Sequence, residues 1–164
     1  MENALKFKKN LCILIELFQE IIIYVKSKNY KTDVNPNIFE LVKFKLNTMN
    51  ELSLIESFIS KSYYYWDMIK ENNELFLIEN SDVLFDGLPS EYITLFTDIL
   101  KTKDLIDEDI KNNIWEILHG LVVNSIKHVH VQRNYNIDTK TYTVLYAKDI
   151  KLKNTAKIWN VDLK

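Results

Sequence analysis

Two glycines and two prolines in 164 residues leave this chain few places to reverse sharply. A β-sandwich or barrel needs a turn signal roughly every 8–12 residues, whereas a helical fold needs one only between long segments. Hydrophobic residues, 47% of the chain, suffice for a core, and they recur at intervals of three and four. The expected fold is therefore all-α. It is a five- to six-helix bundle spanning 1–132, followed by a basic C-terminal extended arm, 133–164.

The periodicity places the helices. Leu11, Leu14, Ile15, Phe18, Ile21, Ile22 and Val25 make one wide stripe, so a first helix is expected over 3–27. Asn35-Pro36 resembles an N-cap followed by proline at the first helical position. Ile38, Phe39, Val42, Leu46 and Met49 then form the face of a second helix. A third is expected over 51–71, with Leu52, Ile55, Ile59, Tyr63 and Trp66 on one side. Its "YYYW" run puts aromatics all around the helix, so at least one must face outward or meet a partner. Residues 72–92 break the pattern around a short apolar knot and the Gly87–Pro89 turn. Ser90 is a candidate cap for a fourth helix over 91–101. Asp107 is a candidate cap for a fifth, from 108 to about 131, with Glu108 and Asp109 suited to its positive end. Beyond Arg133 the residues change to Thr, Tyr, Val and Ile, and "TYTVLY" alternates. That pattern fits a short β-hairpin or an extended arm equally. Removing 134–164 is expected to leave the helical core folded.

Charge is unevenly laid out. Residues 47–110 carry 14 acidic and 4 basic side chains, whereas 133–164 carry 7 basic and 3 acidic, although the whole chain is only −2. An acidic middle with basic ends suits docking to charged neighbours or to the chain's own body. The apolar run "LCILIELFQEIIIYV" is too short, and too interrupted by Glu16 and Glu20, for a membrane span or a signal peptide. It reads as part of a soluble, intracellular protein. The single cysteine, Cys12, excludes an internal disulfide and reads as a buried thiol.

All three histidines fall in "NNIWEILHGLVVNSIKHVHV". On a helix turning roughly 100° per residue, His119 and His128 face opposite ways. His119 and His130 share a face but stand about 16 Å apart. His128 and His130 would come within about 6–7 Å only if 128–131 were a strand. The expected arrangement is His119 packed beside Trp115 and the other two near a helix C-terminus, with no metal and no cofactor. No phosphate-binding loop, dinucleotide fingerprint or nucleophile elbow occurs. The acids of "DLIDEDI" fit a helix start better than acid–base catalysis. An enzyme is not expected.

The candidate binding residues lie in the arm: Arg133, Lys148, Lys151, Lys153, Lys157 and Trp159. Basic and aromatic side chains interleaved in this way can follow phosphates and stack bases. The acidic middle and the sequence pI of about 5.9 oppose a broad nucleic-acid face. An acidic protein surface is the expected partner, with nucleic acid as the alternative.

Two segments carry a resemblance. "NELFLIENSDVLFDGLP" (73–89), followed by "DEDIKNNIWEILHGLVVNSI" (107–126), resembles uncharacterised small helical proteins of nucleocytoplasmic large DNA viruses. In those, an apolar knot and an LP turn precede a helix of the form I-W-x-x-L-x-x-L, here Ile114, Trp115, Leu118 and Leu121. The resemblance covers about 55 residues and implies no catalytic residue. It implies a protein made in infected host cytoplasm and packaged in the virion. The charge split, together with the missing active-site motifs, then points to a structural or interaction protein, for example a minor capsid component docking on other virion proteins. Frequent Asn, Ile and Lys agree with an AT-rich source. A host-directed helical decoy with a Bcl-2-like fold is the further alternative that length and helix content allow.

Overall fold

The computed structural model describes residues 1–85, 88–135 and 151–164, with backbone alone for 133–135. The fold is all-α, and no strand occurs among the described residues. The elements are α1 (Glu2–Ser27), α2 (Ile38–Thr48), α3 (Glu51–Ser62), a 3₁₀ turn (Tyr63–Tyr65), α4 (Trp66–Lys70), α5 (Glu74–Glu79), α6 (Ser81–Leu84), α7 (Ser90–Lys101), α8 (Glu108–Tyr135) and α9 (Leu152–Ile158).

The long helices α1 and α8 form the spine and make the most extensive contact in the fold. From α1, Phe7, Leu14, Ile15, Phe18, Ile22 and Val25 are buried, and from α8, Ile114, Leu118, Leu121, Val122, Ile126 and Val129. The two helices approach closely at Gly120. A Cβ there would lie 2.9 Å from Asn10 Nδ2, so the missing side chain makes room for a polar group of α1. Phe18 of α1 also joins Phe85 and Phe96 in a triangle with ring centroids 4.6–5.3 Å apart. Such edge-to-face and tilted packing adds to simple burial.

A chain this poor in glycine needs another way to end its helices, and asparagine supplies it. Asn29, Asn72 and Asn160 all have positive φ, between 52° and 62°, just after α1, α4 and α9. Each stands at the centre of a double hydrogen-bonded C-terminal turn. The N–H of Tyr30 donates to Val25 O, that of Asn73 to Met68 O and that of Val161 to Ala156 O. Asn29, Asn72 and Asn160 themselves donate to Lys26, Ile69 and Lys157. This is the Schellman arrangement, in which Asn is the usual substitute for Gly. At the other ends, Asn50, Asn73 and Asp107 accept from the N–H groups of Ser53, Phe76 and Ile110 at 2.9–3.2 Å.

Several expectations are corrected. The helix expected over 51–71 is broken at Tyr63–Tyr65, where the chain tightens to 3₁₀ geometry. The break lets Trp66 turn inward, its Nε1–H donating to Ser62 Oγ at 3.0 Å, while Tyr64 turns out, 71% exposed. Residues 74–84 coil into α5 and α6, so the described residues hold more helical segments than the five or six expected. Asn35 closes a turn onto the Asn37 N–H, and α2 begins only at Ile38. Ser90 does not cap α7 with its side chain; Pro89 precedes the helix and Ser90 is already in its first turn. Residues 128–131 are helix, which removes the strand alternative, and α8 runs on to Tyr135.

The largest correction concerns the arm. Residues 152–158 are not extended but helical, and α9 packs on α8. Leu152, Ala156 and Trp159 recur at four and three and are all buried, so this segment belongs to the core. Removing 134–164 would therefore uncover apolar surface. The expected hairpin falls on 136–150, outside the described residues.

Candidate functional site

The expected binding residues divide into those that anchor α9 and those it displays. Trp159 is 5% exposed and sits between α4 and α8. His119 meets it edge-on at 5.2 Å, and Lys70 Nζ lies 5.2 Å from its ring centre. His119 is held in turn by Ile69 O, 2.9 Å from its Nε2. Trp159 thus takes the place beside His119 that the sequence suggested for Trp115. Lys151, Lys153 and Lys157 are exposed. The Arg133 side chain and Lys148 lie outside the described residues.

The histidines stand apart along α8, as the helical geometry requires. Among the described residues, no group of three or more His, Cys, Asp or Glu is placed to hold a metal ion. His128 is not a cation at the helix end but a core residue, 1% exposed, with Gln132 Nε2 3.5 Å from its Nε2. Burial first, and the Met1 amine second, push its pKa down to about 4. It is therefore neutral near pH 7. Burial also lowers His119, against the opposing pull of the Ile69 carbonyl. Cys12 is half-buried, with its Sγ 3.7 Å from Asn47 Oδ1, and burial raises its pKa, which does not suit a nucleophile.

A sizeable concavity among the described residues lies elsewhere. α1 packs against both α2 and α3, but those two make no comparably extensive contact with each other. They diverge from the corner at Met49–Asn50, which Lys8 ties to α1. Its Nζ donates to Asn47 O at 2.9 Å, Met49 O at 2.8 Å and Glu51 Oε1 at 3.1 Å. The resulting cavity has a volume of about 200 Å³ and is walled by Phe7, Leu11 and Ile15 of α1, Val42 and Leu46 of α2, Leu54 and Phe58 of α3, and Leu84. Ser53, Ser57, Lys45 and Lys61 line its exposed side. Beside it, Leu41 and Phe44 of α2 face outward, 67% and 70% exposed. Sequence reasoning missed this cavity because it depends on how α2 and α3 splay. The available signal was an α2 that is apolar on nearly every side, from Ile38 to Leu46.

No helix among the described residues is long and apolar enough to cross a membrane. No family model, curated protein or solved structure matches the chain.

Proposed function

We infer that this chain is a non-enzymatic interaction protein of a large DNA virus. It is a minor capsid or other virion component, also present in the host cytoplasm during infection. It docks on neighbouring protein subunits through the basic face of its C-terminal segment. One observation carries the reading. α9 and its two flanking residues bury Leu152, Ala156 and Trp159 against the body while keeping Lys151, Lys153 and Lys157 in solvent. A positive patch held on a packed helix loses less conformational freedom on docking than a loose arm does. It complements an acidic protein surface. In this reading Trp159 is the anchor and the lysines are the contact. The absence of phosphate-binding and nucleophile motifs from the sequence supports a non-catalytic role.

Substitution is the appropriate test, since deletion would remove core residues. Lys151→Glu, Lys153→Glu and Lys157→Glu are introduced together, and co-sedimentation with purified particles is compared with wild type. The expected result is full helical content by circular dichroism with loss of co-sedimentation. Unchanged co-sedimentation of the folded variant removes the reading. Tight binding to DNA that weakens steeply with salt, and is lost in the variant, moves the assignment to nucleic acid.

A further inference from the structure

The cavity between α2 and α3 is a local feature rather than general looseness. The neighbouring aromatic region around Phe18, Phe85 and Phe96 encloses only about 10 Å³, against about 200 Å³ here. Its depth is apolar, formed by side chains such as Phe7, Ile15, Leu46 and Phe58. An apolar depth of this kind favours an apolar guest over ordered water. Its exposed side is different in character. Ser53 and Ser57 offer hydroxyls, and Lys45 and Lys61 offer positive charge. Lys45 makes no ion pair among the described residues, whereas the nearby Lys43 is shared between Glu40 and Glu16.

We propose that this cavity binds a single alkyl chain ending in an anionic head group. The chain lies against Phe7, Leu46 and Phe58, and the head group lies at Lys45. An apolar cavity of roughly 150 Å³ holds a six-carbon ring. About 200 Å³ with an open side therefore accommodates a chain of about eight to ten carbons. It is too small for a docked helix, which is about 10 Å across. The proposal is independent of docking through α9.

Calorimetric titration of the full chain with decanoate, decyl phosphate and decan-1-ol, each below its micelle-forming concentration, tests it. Saturable one-site binding is expected, with the anionic probes tighter than the alcohol by about three- to fivefold, the size of an exposed charge pair. Lys45→Gln should remove that advantage, and Lys45→Glu should reverse it, with decan-1-ol binding unchanged within about twofold. Lys45 is exposed, so both variants should melt like wild type. Binding of one anion but not the other still supports the proposal and separates a carboxylate from a phosphate head group. No saturable binding of either anionic probe overturns it, as does an alcohol that binds as tightly as both anions. Equal weakening of all three probes by Lys45→Gln also overturns it.

Discussion

His128 makes the stability of this protein depend on pH in a predictable direction. The ring is 1% exposed and its pKa is held at about 4 against an ordinary 6.5. Below about pH 6.5 the unfolded chain binds a proton that the folded chain refuses. Stability from this group is therefore complete above about pH 6.5, declines as pH falls, and levels off below about 4. A shift of about two and a half pH units corresponds to roughly 3 kcal/mol at the acid limit. At about pH 5.5 the loss is roughly 1 kcal/mol, and at about pH 4.5 roughly 2–3 kcal/mol. A small domain has on the order of 5–15 kcal/mol in total, so the effect is measurable. Urea denaturation of wild type and His128→Gln at about pH 7.5, 5.5 and 4.5 isolates it. Glutamine stays neutral throughout, and the carboxylates and His119 are common to both proteins, so their contributions cancel in the difference. The wild type should lose stability relative to the variant by the amounts given. A difference that stays flat across this range, or an NMR titration of His128 centred near pH 6.5, would refute the burial argument.

Other substitutions probe the anchoring and the turns. Trp159→Ala should cost about 3 kcal/mol in urea denaturation, since a large buried ring is lost. Trp159→Phe should cost less than about 1 kcal/mol beyond the smaller ring, because the buried Nε1–H has no hydrogen-bond partner among the described residues. Asn72→Gly should raise stability by about 0.5–1 kcal/mol by relieving a φ of 54°. A lower melting temperature for Asn72→Gly would contradict the assigned turn. Gly120→Ala should be neutral or stabilising by up to about 1 kcal/mol: helix propensity favours Ala, and only the Asn10 amide must swing aside. A loss above about 1 kcal/mol would show that Asn10 cannot move.

Much of this architecture is legible in the residue pattern. The stripe of α1, the Asp107 cap of α8 and the outward turn of one tyrosine in "YYYW" follow from periodicity and capping alone. Other features depend on partners distant in sequence. The break at Tyr63–Tyr65 coincides with the burial of Trp66 in a core whose other side chains come from distant parts of the chain. α9 carried its own signal, since Leu152, Ala156 and Trp159 have helical spacing. The alternation of residues 141–146 obscures it, because it gives 133–164 the pattern of one extended arm. The burial of His128 was concealed by its position near the end of an apolar run, where a solvated cation is the simpler expectation. For the α2–α3 cavity the one local signal was an α2 apolar on nearly every side, and the space itself arises from two helices leaning on a third.

The most direct test of the central claim is quantitative mass spectrometry of purified virus particles that express either wild type or the Lys151→Glu, Lys153→Glu, Lys157→Glu variant. The wild-type chain should be present at a defined copy number relative to the major capsid protein. The variant should be depleted from particles while accumulating normally in infected cells. Absence of the wild-type chain from particles, or equal incorporation of the two proteins, would contradict it.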